Sequence, residues 1–129
     1  MRILGIDPGY GITGFGLVEA QRGQTRLLHC GAITTPAGMD FPARLEIIYE
    51  DMRKLLELAK PQEVAIEELF FGQNVTTGIG VAQSRGVILL AVQQAGLPVH
   101  AYKPMQVKQA VVGYGGATKH QVMDMTRRL

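Results

Sequence analysis

The sequence predicts an α/β fold with a five-stranded mixed sheet and flanking helices. Three strand-like runs follow one another in residues 2–34 with short polar links, which is typical of an antiparallel meander. A periodic helix and a short apolar strand come next, and this order indicates a strand that lies parallel to a neighbour. A length of 129 residues with 47% hydrophobic content suits a single domain.

The meander begins with an apolar strand that stops at a carboxylate. The three strands are placed at 2–7, 13–19 and 25–34. Asp7 ends the first apolar run, and Pro8-Gly9 prevents its continuation. Gly14 and Gly16 in the second strand suggest close approach by a ligand or another backbone.

Two helices and two further strands follow the meander. Asp40 is the predicted N-cap of the first helix, which ends before Pro61. Its apolar residues fall at helical spacing, and its charged residues, Arg44 among them, are assigned to the solvent face. The further strands are placed at 64–66 and 98–102, and the second helix at 76–94.

The second helix is rich in glycine in its first half and apolar in its second. Glycines at Gly78, Gly80 and Gly86 are unfavourable in a helix and suggest a close packing contact. The run 87–92 is apolar all round, which predicts that this half is buried. Beyond the last strand, a short helix is expected from Pro104 and a final one from Thr118.

Composition and charge limit the class of protein. A single cysteine, Cys30, excludes an intrachain disulfide, and no stretch looks like a signal peptide or a membrane span. A cytoplasmic location is therefore the expectation. Residues 1–102 carry eight Lys/Arg and ten Asp/Glu, whereas residues 103–129 carry five basic residues and one acid. A basic C-terminal quarter favours an anionic partner such as nucleic acid, although a solvated helix face would have the same composition.

The acidic residues at the strand ends are the candidate site. Asp7 ends the first strand, and Glu67-Glu68 follow the apolar run of the fourth. Only one of the two glutamates can share a face with Asp7 because strand side chains alternate. Carboxylates that converge at the ends of parallel strands suit a hard cation such as Mg²⁺. The simpler alternative is that Asp7 only caps the turn at Pro8-Gly9.

Several segments together resemble one family. They are Leu4–Gly9, Ala65-Ile66-Glu67, Gln83-Ser84-Arg85-Gly86, Pro98-Val99 and Gln106-Val107-Lys108-Gln109 with Val111-Val112-Gly113. The chain closely resembles the bacterial RuvC Holliday-junction resolvases along essentially its whole length. The resemblance implies an RNase H-like fold and a homodimeric, metal-dependent endonuclease that nicks opposing strands of a four-way DNA junction in recombination and repair. It also implies Mg²⁺ as cofactor, with Mn²⁺ able to substitute, and RuvA and RuvB as partners.

The resemblance also assigns roles to individual residues. Asp7 and Glu67 match catalytic, metal-binding carboxylates, with Glu68 as the outward neighbour. Phe70 matches an aromatic residue that wedges against unstacked bases. Lys108 and Lys119 match catalytic basic residues near the scissile phosphate. The DNA-binding set is Phe70, Lys103, Lys108, Lys119, Arg127 and Arg128. Core packing of Phe70 and plain solvent exposure of the lysines are the alternatives.

One departure from the family pattern concerns the acids. The family's site has four, and the last two would lie on a C-terminal helix beyond Leu129, so residues 1–129 are expected to form one RNase H-like domain without that helix. This chain is accordingly expected to bind junctions without cutting them. Three alternatives remain open: a non-catalytic junction-binding module, a nuclease of the YqgF group, and an ATPase of the actin and sugar-kinase class.

Overall fold

Three antiparallel strands form one half of the sheet. The computed structural model describes residues 1–68 and 75–102. The strands are β1 (Arg2–Asp7), β2 (Ile12–Gln21) and β3 (Gln24–Thr34). β1 pairs with β2, and β2 pairs with β3, both antiparallel. The predicted meander is therefore confirmed, and its strands begin and end within two residues of the predicted positions.

The chain then crosses to the other side of β1. Helix α1 (Phe41–Ala59) leads into β4 (Glu63–Glu67), and helix α2 (Val75–Gln94) leads into β5 (Val99–Tyr102). β4 is parallel to β1, and β5 is parallel to β4. The strand order is β3-β2-β1-β4-β5, a five-stranded mixed sheet as predicted. This order makes β1 and β4 the central pair of parallel strands.

Both described helices pack on the same face of the sheet. Their buried side chains join those of the strands in one core, which is Leu4, Ile6, Leu17, Ile33, Ile48, Met52, Leu56, Ala59, Val64, Ile66, Ile88, Ala91 and Val92. Leu4 and Ile6 of β1 face this core, so Asp7 lies on the opposite face by the alternation of strand side chains. No helix in the described part of the chain is long and apolar enough to cross a membrane.

The N-cap position of α1 is confirmed without its side-chain bond, and the burial predicted for α2 was wrong. Asp40 stands at the N-cap position of α1, but its side chain makes no capping hydrogen bond; its carbonyl accepts the first helical bond from the Arg44 amide. In α2, the run 87–92 is not buried throughout, because Leu90 is 52% exposed. A helix that packs through one side leaves the opposite side in solvent, whatever its composition.

Candidate metal centre

Strand pairing brings Asp7 and Glu67 together. The register of β1 and β4 aligns Leu4 with Val64 and Ile6 with Ile66. Asp7 and Glu67 are the next residues on each strand and the last of each. Aligned residues on parallel strands share a face, and neighbouring strands lie about 4.8 Å apart. The two carboxylates are thus neighbours at the carboxyl edge of the sheet, on the face opposite the helices.

The two carboxylates differ in their surroundings. Asp7 is exposed, and no described residue donates a hydrogen bond to its carboxylate or forms an ion pair with it. Glu67 is half-buried, and its backbone carbonyl accepts a hydrogen bond from Arg85 Nε at 3.4 Å. Glu68 is exposed and lies one residue beyond the end of β4. That only one of the two glutamates shares a face with Asp7 stays a prediction.

Small residues lie beside the pair on β1, β2 and β4. Gly14 of β2 is aligned with Asp7, and Gly16 with Gly5. Ala65 precedes the Glu67 position on the same face of β4. These three strands therefore place no bulky side chain beside the carboxylates, whereas β5 aligns Tyr102 with Glu67.

The turn that follows Asp7 is tightly built. A Cβ atom on Gly9 would lie 1.9 Å from the carbonyl oxygen of Ile12, so glycine is required there. The Gly11 carbonyl accepts a hydrogen bond from the Thr35 amide at 3.2 Å. The Tyr10 ring stacks on Phe41 of α1 with 6.1 Å between ring centroids. Contacts with β3 and α1 thus hold the backbone that leaves the site.

Arg44 is the residue near this turn that the sequence analysis missed. It was assigned to the solvent face of α1, yet it is only 8% exposed and contacts Tyr10. Its position four and eight residues before Ile48 and Met52 places it on the same row of the helix as the core residues. That spacing indicates a buried position, but the charge of the side chain led to its assignment to the solvent face.

The donor set fits a hard divalent cation. Asp7 and Glu67 offer only carboxylate oxygens, the ligands that Mg²⁺ prefers, and Mg²⁺ commonly keeps several waters beside one or two carboxylates. Across residues 1–68 and 75–102, no group of three or more His, Cys, Asp or Glu could hold a metal. Within the described part of the chain, the candidate ligands are therefore these two carboxylates.

The remaining residues of the predicted site lie outside the described part of the chain. They are Phe70, Lys103, Lys108, Lys119, Arg127 and Arg128. Their predicted contacts with DNA stay predictions.

Comparison with known proteins decides the family. The family model described as "Crossover junction endodeoxyribonuclease RuvC" matches residues 3–129. The chain belongs to the RuvC family. A RuvC from Chloroflexus aurantiacus is 56% identical over 127 residues, which are 98% of this chain and 77% of that protein. A RuvC from Brevibacillus brevis is 55% identical over 129 residues, which are 100% of this chain and 78% of that protein.

Solved structures agree with this assignment. The structure of Thermus thermophilus RuvC in complex with a Holliday junction substrate matches with a TM-score of 0.79 and 37% identity, over 97% of this chain and 76% of the other. The RNase H-like fold predicted from the sequence is confirmed. RuvC membership makes the chain a junction-resolving endonuclease of a divalent-metal-dependent nuclease family that acts in DNA recombination and repair.

Proposed function

We propose that the polypeptide encoded by the complete gene cuts opposing strands of four-way DNA junctions by Mg²⁺-dependent hydrolysis, with Asp7 and Glu67 as two of its metal ligands, and that residues 1–129 bind such junctions. The observation that carries the proposal is the strand register, which pairs Ile6 with Ile66 and so brings the ends of β1 and β4, at Asp7 and Glu67, to one sheet edge. An exposed Asp7 without a described partner suits a ligand position better than a structural one. Mn²⁺ has the same preference for oxygen ligands and should substitute.

The residues of the chain and the bound metal ions would have separate roles in the reaction. Hydrolysis joins a water oxygen to the scissile phosphorus, breaks one phosphorus–oxygen ester bond and delivers a proton to the leaving oxygen. Two bound divalent cations would stabilise the attacking and leaving oxygens. Asp7 and Glu67 would hold such cations at a fixed place because each ends a strand of the central parallel pair. Lys108 and Lys119 would contact the phosphate.

A matched pair of glutamates tests the assignment. We expect Glu67→Gln to abolish Mg²⁺-dependent cleavage of a synthetic four-way junction, because it removes one anionic ligand, while binding in a gel-shift assay persists. Glu68→Gln is the control and should cut at nearly the parental rate. Both variants are made in the polypeptide encoded by the complete gene. Full loss in Glu68→Gln with activity in Glu67→Gln would contradict the proposal. The alternative of a binding module predicts no specific cleavage from any form.

The exposed side of α2 supports a homodimer. Five solvent-facing residues follow one another at alternating spacings of four and three, namely Ile79, Gln83, Gly86, Leu90 and Gln93. Ile79 and Leu90 are about half exposed, and a Cβ atom on Gly86 would meet no atom within 4 Å. This heptad spacing is that of a helix–helix seam, and a central glycine allows close approach. A second copy of this chain is the proposed occupant.

The oligomeric state tests the dimer. We expect Leu90→Lys to shift the chain from dimer to monomer in sedimentation analysis, since it would bury a charge in the seam. Leu58→Lys on α1 is the control, because Leu58 is 83% exposed and lies off the seam. A dimer that survives Leu90→Lys, or a monomeric parent chain, would contradict this arrangement.

Three further proposals rest on family membership. Residues 1–129 form one domain, since the family model spans residues 3–129 and the described elements share one sheet and one core. RuvA and RuvB are the expected protein partners, which co-purification with junction DNA would test. A bacterial cytoplasmic location accords with the bacterial relatives and with a DNA substrate.

A further inference from the structure

Arg44 is the one charged side chain that is buried among the residues described in 1–68 and 75–102. Burial of a guanidinium is costly unless its donors are satisfied and its charge is compensated. No described carboxylate forms an ion pair with it. A core position on α1 could hold an apolar residue at no such cost, so the contacts of this arginine indicate what it does.

The guanidinium joins the turn after Asp7 to the end of β3. Its Nη2 donates a hydrogen bond to the Tyr10 carbonyl oxygen at 3.0 Å, and its Nε donates to Thr35 Oγ1 at 3.0 Å. Its Cζ also lies over two aromatic rings, 5.0 Å from the centroid of Tyr10 and 5.8 Å from that of Phe41. A cation over aromatic faces is stabilised by their quadrupoles. Arg44 therefore contacts both the backbone and the side chain of Tyr10.

Helix α2 holds the same tyrosine from another side. A Cβ atom on Gly80 would lie 2.6 Å from two carbons of the Tyr10 ring, so only a glycine lets the ring lie where it does. The ring is thus fixed by Phe41 and Arg44 of α1 and by Gly80 of α2. Tyr10 remains 42% exposed, so this contact is not ordinary core packing.

We propose that Arg44 is a positioning residue for the metal centre, which acts by holding the turn at Pro8–Gly11 and, through it, the Asp7 carboxylate. The inference rests on the proposed function, in which Asp7 is a metal ligand. Only two residues separate Asp7 from Tyr10, and Asp7 is the last residue of β1. Pairing with Gly14 of β2 fixes Asp7 from the strand side, and the turn fixes the backbone that leaves it. Misplacing a catalytic group by about 1 Å can lower a rate by about 100-fold.

The test compares two arginines of α1. Arg44→Gln removes the bridge between Tyr10 and Thr35. Arg53→Gln is the matched control, because Arg53 also lies over an aromatic ring, at 5.7 Å from the centroid of Tyr49, but is exposed. The readouts are kcat and KM for a synthetic four-way junction with Mg²⁺, and Mn²⁺ affinity measured by electron paramagnetic resonance without DNA. All variants use the polypeptide encoded by the complete gene.

We expect Arg44→Gln to lower kcat by about 10- to 100-fold and to weaken Mn²⁺ binding, with KM for the junction unchanged. Arg53→Gln should leave all three values at the parental level. Parental kcat and Mn²⁺ affinity in a folded Arg44→Gln variant would overturn the inference. If Arg44→Gln does not fold, Gly80→Ala decides, because the added Cβ must displace the Tyr10 ring; an unchanged kcat there would also overturn it.

A parallel Asp7→Asn variant separates this inference from the function on which it rests. If Asp7→Asn retains cleavage and Mn²⁺ affinity, Asp7 is not a ligand, and both proposals fail. If Asp7→Asn loses both while Arg44→Gln and Gly80→Ala keep both, only the positioning role of Arg44 fails. Loss in Asp7→Asn and in Arg44→Gln, with Arg53→Gln unaffected, supports both.

Discussion

Replacing Asp7 with asparagine should have opposite effects on stability in the absence and in the presence of metal. Asn preserves the shape of the side chain and removes its charge. In the metal-free chain this should relieve repulsion between the carboxylates of Asp7 and Glu67, which end the paired strands β1 and β4. With metal, it removes an anionic ligand. The sign of the stability change should therefore reverse when Mg²⁺ is added.

The size of the metal-free effect follows from the strand spacing. Two charges about 5 Å apart repel by about 0.8 kcal/mol at the dielectric constant of water, and by about 3 kcal/mol at an effective value of about 20. Asp7 is exposed, so the lower figure applies. A gain of about 1 kcal/mol in the free energy of unfolding raises Tm by about 3–5 °C for a chain of this length.

The effect of metal follows from mass action. A cation that binds only the folded chain contributes about 2.7 kcal/mol at about 100 times its Kd. Without metal, Asp7→Asn should have the higher free energy of unfolding. Mg²⁺ should raise the free energy of unfolding of the parental chain by more than this difference. The measurement is thermal unfolding followed by circular dichroism, with EDTA and with increasing Mg²⁺. Glu68→Gln, which changes an exposed carboxylate beyond the end of β4, is the charge-matched control.

Two results would refute this reasoning. If Mg²⁺ raises the Tm of Asp7→Asn as much as that of the parental chain, Asp7 is not a ligand. If metal-free Asp7→Asn is less stable than the parental chain, the two carboxylates do not repel each other at the sheet edge.

Three further predictions concern the core and the DNA contacts. Met52→Ala should lower the free energy of unfolding by about 2–5 kcal/mol, because the side chain is fully buried. Leu58 is exposed, so Leu58→Ala should stay within about 0.5 kcal/mol of the parental value. Urea unfolding measures both. Phe70→Ala should raise the activation free energy of single-turnover cleavage by about 1–3 kcal/mol per unstacked base and should weaken junction binding by less. Equal losses in rate and affinity would count against the wedge role. Lys108→Gln and Lys119→Gln should each reduce the salt dependence of junction binding, with the slope of log K against log salt falling by about 1 in gel shifts; an unchanged slope would exclude phosphate contact.

Local chemistry was enough to predict the elements of the fold. Backbone preferences that need no tertiary partner account for the strand before Asp7, for its end at Pro8-Gly9 and for the end of the first helix before Pro61. The convergence of Asp7 and Glu67 was predictable too, because a meander followed by a helix and a strand leaves few places for that strand. The alternation of strand side chains then left only one glutamate of the pair able to share a face with Asp7, and the resemblance to the RuvC family indicated Glu67.

Tertiary structure alone decided which helix residues are buried and what the turn after Asp7 contacts. Arg44 was expected to be exposed because charge usually keeps a side chain in water. In the fold, Tyr10 and Thr35 lie close to the first turn of α1 and supply the hydrogen-bond acceptors that allow its burial. Leu90 looked buried because its neighbours are apolar, yet the sheet contacts only one side of α2. Hydropathy describes each side chain's preference, whereas burial depends on which surfaces the fold brings together, and that is a property of contacts distant in sequence.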